Sequence, residues 1–323
     1  MSRIYKVIVI GAGKIGALFD KPETRQILTH AHAFSDHSKF DLVGFVDTNF
    51  EASKKAAETW GGRAYKDLKE AFEKEKIDIV SLATPDETHY ALLKKLSGYP
   101  LDGIFAEKPL VGKKKEADEI IRIYNKCKIA VTINYPRRFV PEFIKLAEEI
   151  KSNIYGSFSG GYGVYGKGFL HNGSHLVDLL RLLIGEIKEV HPVRKICDFS
   201  KTDPSYSGII SFRNKANFFF QAVDQRKYTI FELDLLFAKS RIRIINSGFN
   251  IEKYEIKNSE LFSNYKNLTK TSSIKTSFDR AMLFGVDNFY NSLGRNKISL
   301  SPLSSAYKTL KTCFKIQESK SYG

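Results

Sequence analysis

Cysteine is scarce and odd in number. Cys127, Cys197 and Cys313 lie far apart, with no CxxC spacing to build a metal or redox site. That excludes a secreted disulfide scaffold and fits free thiols in a reducing compartment, read here as small buried hydrophobes. No apolar run approaches the roughly 20 residues that span a bilayer. Internal repeats, low-complexity linkers, and zinc-finger or RNA-binding signatures are all missing. Acidic residues are also in short supply: 36 Asp and Glu face 51 Lys and Arg, giving a net charge of +15. The longest basic run is only Lys113-Lys114-Lys115, so the excess reads as a solvated lysine-rich surface. An anionic small substrate is the functional alternative; nucleic acid and membrane partners are not expected. The segment from Met1 to Lys6 leads straight into an apolar strand with no cleavage pattern, so the expected location is cytoplasmic.

What is present is 323 residues, 42% hydrophobic and 27% charged, enough for two domains with sizeable cores. The first third alternates apolar runs with helical patterns, as βαβ units do. Strands are predicted at Tyr5–Ile10, Leu42–Val46, Ile77–Leu82, Ile104–Ala106 and Ile129–Ile133, with helices over Glu51–Thr59 and Glu116–Asn125. Gly208–Phe212, Phe218–Val223, Phe231–Phe237 and Arg241–Ile245 follow without intervening helices, which predicts an antiparallel sheet. A sheet with one uncovered face predicts burial in an oligomer. The polar stretch Asn258–Ser277 reads as a loop, and Ala281–Leu293 and Ser304–Gln317 as closing helices.

The first strand runs into Gly11-Ala12-Gly13-Lys14-Ile15-Gly16, a full GxGxxG. Its glycines allow a tight turn, close approach of a pyrophosphate and close helix packing, and a helix start then faces the phosphates. The second predicted strand ends at Asp47, where a carboxylate can accept both ribose hydroxyls and would repel a 2′-phosphate. NAD is therefore expected over NADP. The interval from Gly16 to Asp47 is longer than usual, and Phe19–Arg25 reads as a loop insertion. A helix N-cap is the alternative role for Asp47.

Further along, Ala83-Thr84-Pro85 with His89, then Ala106-Glu107-Lys108-Pro109-Leu110, form an ordered set with Asn134–Phe139 and Gly173–Asp178. This series resembles the Gfo/Idh/MocA oxidoreductases along essentially the whole chain. The resemblance implies an α/β protein: a Rossmann doubly wound parallel sheet over residues 1–133, then a substrate and oligomerisation domain over 134–323. The second domain would be α/β with an open, mainly antiparallel sheet, its last helices packing back on the first domain. The implied activity is hydride transfer between a nicotinamide and a secondary alcohol or ketone of a sugar, cyclitol or sugar nucleotide. Gly11, Gly13, Lys14, Ile15, Gly16, Asp47, Thr84, Glu107 and Lys108 match cofactor-lining positions, and Lys108 matches the catalytic lysine. Pro109 matches a proline that can follow a cis peptide.

Lysine suits that role physically, because an amine can take the hydroxyl proton in oxidation and return it in reduction. His175 matches the family's histidine, but His171 stands where the family often has Asp. His171 can still bond a hydroxyl or accept a proton. The i, i+4 histidine pair lacks the Glu of HExxH, with Asn172 in its place, and no metal is expected. Asp178 is a candidate to orient His175, or else a structural carboxylate. Arg137, Tyr165, Lys167, His171, Asn172 and His175 are the candidate substrate contacts, while His30, His32 and His89 are assigned to capping, surface or structural roles. Partners are expected to be a small carbohydrate, anionic in one reading, and further copies in a homodimer or homotetramer. Two alternatives share the fold: a glycosidase using bound NAD transiently, and a non-catalytic cofactor sensor.

Overall fold

A computed structural model describes residues 3–294 and 297–319. The chain divides into two compact units, one of residues 1–139 with 279–308, the other of 140–278 with 309–323.

The first unit is built on six parallel strands: β1 (Tyr5–Ile10), β2 (Phe40–Val46), β3 (Arg63–Tyr65), β4 (Ile79–Leu82), β5 (Gly103–Glu107) and β6 (Ala130–Asn134). Their order across the sheet is β3-β2-β1-β4-β5-β6. Between them run α1 (His30–Asp36), α2 (Phe50–Trp60), α3 (Leu68–Lys74), α4 (His89–Leu96) and α5 (Lys114–Tyr124). Strands covered on both faces need apolar side chains at every position, which is why Val7, Ile8 and Val9 are all buried. Later in the chain, α8 (Ala281–Leu293) brings Met282, Val286 and Phe289 into one core with Val7, Phe34, Ile79 and Phe105.

The second unit holds α6 (Pro141–Lys151), β7 (Phe158–Tyr165), α7 (Ser174–Leu183), β8 (Ile187–Ile196) and β9 (Ser205–Phe212). It continues with β10 (Asn217–Ala222), β11 (Phe231–Phe237), β12 (Ser240–Ile245), β13 (Asn250–Asn258) and β14 (Lys266–Lys275). These strands form one sheet in the order β14-β13-β12-β11-β7-β10-β9-β8, antiparallel except where β10 runs beside β7. Helix α9 (Leu303–Glu318) closes the described chain.

The fold is thus the expected α/β pair of sheets. A stretch expected as loop differs: Lys266–Lys275 is a strand paired with β13. Its residues are nearly all solvent-facing at the sheet edge, so no apolar alternation marks it. Of the thiols, Cys313 is buried, but Cys127 is half-buried and Cys197 exposed, which corrects the reading of all three as buried hydrophobes. Among the described residues no helix is long and apolar enough to cross a membrane.

Candidate functional site

In the first unit the candidate residues collect at the C-terminal ends of the strands. Gly11 leaves β1 with φ +94°, and a Cβ there would meet the Ala83 carbonyl oxygen at 2.6 Å. A Cβ on Gly16 would collide with the Gly11 carbonyl, so the turn closes only with hydrogen at both places. Gly13 differs: it is exposed and a Cβ would meet nothing within 4 Å. Lys14 beside it is exposed as well.

The helix expected to open at the glycines does not form as a regular α-helix. A single π turn, Lys14–Leu18, replaces it, with the Gly13 carbonyl accepting from Ala17 and Leu18; α1 starts only at His30. The residues between are pinned by a buried carboxylate. Asp20 accepts from the Leu28 and Thr29 amides and the Thr29 hydroxyl, and faces His32 Nδ1 at 3.0 Å. A turn this short carries little of a helix dipole.

Asp47 ends β2 with both carboxylate oxygens engaged. Oδ2 accepts the Ala12 amide at 2.8 Å and Oδ1 the Asn49 amide at 2.8 Å. The first bond ties the acidic residue directly to the glycine turn. It is not the side-chain cap of α2, whose N-cap residue is Asn49.

Glu107, at the end of β5, is the hub of a buried network that crosses three strands. Its Oε1 receives Asn134 Nδ2 of β6 at 2.6 Å and meets His30 Nε2 at 3.0 Å. His30 Nδ1 in turn lies 2.6 Å from Ser81 Oγ of β4. Burial pushes the Glu107 carboxyl up, but the bonds from His30 and Asn134 and the charge of Lys108 outweigh it and hold the group low. Lys108, half-buried, is the next residue, and the Lys108–Pro109 peptide is cis. His89 Nδ1 faces the Pro109 carbonyl at 2.8 Å and its Nε2 the Thr84 carbonyl at 3.0 Å, fastening the two motifs to one ring.

The assignment of His30 and His32 to capping or surface roles is therefore corrected. Both are buried, and His30 is the partner of the Glu-Lys-Pro glutamate. Sequence gave no local signal for this, since the pair is separated by 77 positions. Arg137 is buried within the same unit just beyond β6, and Arg138 donates to the Leu300 carbonyl.

In the second unit the structure gathers Lys167, His171, Asn172 and His175 on one segment. Gly168 has φ +74°, Phe169–Gly173 forms a second π turn, and α7 follows directly. All four side chains are half-buried. Asn172 Nδ2 donates to the Gly166 carbonyl at 2.7 Å. Tyr165 is a correction: it is 0% exposed, and its hydroxyl donates to the Tyr206 carbonyl and accepts the Tyr206 amide, both at 2.7 Å. Such a fully buried hydroxyl is a core fastener out of reach of a substrate. Asp178 is buried, accepts the Thr309 hydroxyl at 2.9 Å and lies 3.9 Å from Arg181 Nη1, which supports the structural account of it. Among the described residues no group of three or more His, Cys, Asp or Glu could hold a metal ion.

A parallel sheet of this strand order, a GxGxxG turn leaving β1 and an acidic residue ending β2 define a Rossmann dinucleotide-binding unit. Residues 5–135 match the Gfo/Idh/MocA oxidoreductase family, whose description is an NAD-binding Rossmann fold. The rhizopine catabolism protein MocA of Rhizobium meliloti is 24% identical over 196 residues, 56% of this chain and 58% of MocA. The match thus spans little more than half of that relative. UDP-N-acetylglucosamine 3-dehydrogenase GnnA of Acidithiobacillus ferrooxidans superposes with a TM-score of 0.74 at 16% identity, over 97% of this chain and 96% of GnnA. An oxidoreductase of Agrobacterium radiobacter, solved with NAD+, L-tartaric acid and magnesium, gives 0.75 at 15%, over 98% and 97%. At such identities the solved structures speak for the fold.

The residues present fit a dinucleotide. The open space at Gly13 leaves room for a pyrophosphate, and each Asp47 oxygen, holding one amide, keeps a lone pair for a ribose hydroxyl.

Proposed function

We propose that this protein is an NAD-dependent dehydrogenase or reductase acting on a secondary alcohol or ketone of a sugar, cyclitol or sugar nucleotide. The observation that carries the reading is Lys108, half-buried beside a glutamate whose carboxylate is fixed by His30 and Asn134. NAD, when bound, exchanges a hydride with the substrate carbon. Gly11, Gly13, Lys14, Ile15 and Gly16 would hold its pyrophosphate, Asp47 its ribose, and Thr84 and Glu107 the walls beyond. Lys108 takes the hydroxyl proton as hydride leaves the carbon, and its ammonium returns that proton in the reverse direction. His171, Asn172 and His175 are what the second unit offers to substrate hydroxyls, with His175 assisting proton transfer. Lys167 and Arg137 are the cations for an acidic substituent. NAD is favoured over NADP because Thr48 and Asn49, without charge, follow Asp47.

The sugar-like substrate class is supported by the family match over residues 5–135 and by the neighbour GnnA, named for a sugar nucleotide. A homodimer or homotetramer is supported by Tyr162, Phe219 and Leu236, which stand exposed on the adjacent strands β7, β10 and β11 respectively.

The test begins with titration of the purified chain with NAD(H) and NADP(H), read by intrinsic fluorescence. NAD(H) should bind, and Gly13→Val, which fills open space without disturbing the turn, should abolish binding. A panel including myo-inositol and UDP-N-acetylglucosamine should then reveal turnover, with Lys108→Ala lowering kcat by about 10²–10⁴ while NAD affinity stays. If neither dinucleotide binds, with none retained from purification, the reading ends. Glycoside cleavage without net NADH would favour the glycosidase instead.

A further inference from the structure

The loop between β8 and β9, residues 197–204, belongs to neither strand, yet it supplies a carboxylate bonded to three consecutive backbone amides of another segment. Asp203 is 9% exposed; its Oδ1 accepts the amides of Phe169 and Leu170 at 2.9 and 2.8 Å, and its Oδ2 that of His171 at 2.9 Å. Ser205 Oγ accepts the Gly168 amide at 2.8 Å, and Asp198 Oδ2 the Lys167 amide at 2.7 Å. Five consecutive N–H groups, Lys167 to His171, are thus donated to side chains more than 30 positions away in sequence.

The start of a helical segment ordinarily leaves its first amides for a neighbouring cap, for water or for an anion. Here no cap comes from Gly168 itself, and the remote carboxylate uses those amides up. Recognition in this segment therefore falls to side chains. The same loop sets one of them: Phe199 stacks on the His171 ring with centroids 4.7 Å apart and planes at 27°. Phe199 is 43% exposed, so core packing does not account for it, and Lys167 Nζ lies 6.0 Å from its ring.

We propose that Asp203 and Phe199 are positioning residues: Asp203 fixes the backbone that carries His171, and Phe199 fixes the plane of its imidazole. The inference rests on the reading of His171 as a substrate contact. It concerns a loop for which the glycine turn and the Glu-Lys-Pro motif give no cue.

The experiment uses the full chain labelled with ¹⁵N-histidine, the His171 ring signals being assigned with His171→Gln. In Phe199→Leu the His171 ring protons should move downfield as the shielding of the stacked ring is lost, and Phe199→Tyr should restore them. In Asp203→Asn an amide replaces one carboxylate oxygen facing backbone donors, and the same signals should shift while those of His30 and His89 stay. On any panel substrate turned over, Phe199→Leu should raise KM roughly tenfold with kcat within about threefold. His171 signals unchanged in both variants would overturn the proposal. If Asp203→Asn fails to fold, the exposed Phe199→Leu still decides. Loss of dinucleotide binding in the wild type would instead strike the functional reading, whatever the ring signals show.

Discussion

Glu107 and Asp203 are both buried carboxylates, each at the centre of a fan of donors, one in each unit. Their donors differ in kind. Glu107 meets side chains from a helix and a neighbouring strand and feels the charge of Lys108. Asp203 meets backbone amides of one short segment. Burial pushes both carboxyls up; at Glu107 the histidine, lysine and asparagine reverse the shift, whereas at Asp203 the three amides and the charge of His171 do not. The contrast assigns different work to the two groups. Glu107 is held as an anion beside the candidate catalytic lysine, and Asp203 gives up part of that stability to order a backbone.

The largest expected effect breaks the first network. His30→Ala leaves the Glu107 carboxylate buried with one donor removed and a void where the ring stood. It should cost roughly 3 kcal/mol or more in urea unfolding, read as a lower midpoint at unchanged slope. His30→Gln, which keeps a donor, should recover much of that loss. An equal loss in both variants would show that the ring's volume, not its bond to Glu107, matters.

The next breaks the second network without touching a charged group. Gly168 has φ +74°, and a Cβ there would collide with Asp203 Oδ2. Gly168→Ala should cost more than about 1 kcal/mol, because both the dihedral and the contact are unfavourable for Ala. It should also shift the His171 ring signals as Asp203→Asn does. A stable Gly168→Ala with wild-type His171 signals would mean that the segment is not held against the carboxylate.

Both networks lay beyond the reach of sequence for the same reason. The glycine turn, Asp47 and five of the six strands of the first sheet (all but β3) were legible because their signals are local: spacing of glycines, continuous apolar runs, a motif read in order. Ser81 is 51 positions from His30, and Asp203 is 32 from His171, so no window of pattern joins them. Tyr165 misled for a related reason. A tyrosine beside glycines reads equally as a sugar contact or as core, and only the Tyr206 backbone at its hydroxyl decides. β14 was hidden because an exposed edge strand needs no apolar face.

The smallest effect is also the sharpest, because the two carboxylates should respond to pH with opposite signs. A carboxyl held low in the folded state stabilises above its unfolded value, about 4.3 for Glu, and loses that contribution as pH falls through the folded value. The stability gap between wild type and Glu107→Gln should therefore shrink on acidification below about pH 4. A carboxyl held high behaves oppositely: its ionised form is disfavoured by the fold, and the disadvantage disappears as pH falls through the raised folded value towards the unfolded one, about 3.9 for Asp. The gap between wild type and Asp203→Asn should widen over that window. Urea midpoints measured from neutral pH downward would read both slopes. Slopes of the same sign would mean that backbone amides hold an anion as firmly as the histidine network does, and the contrast between the two units would fall.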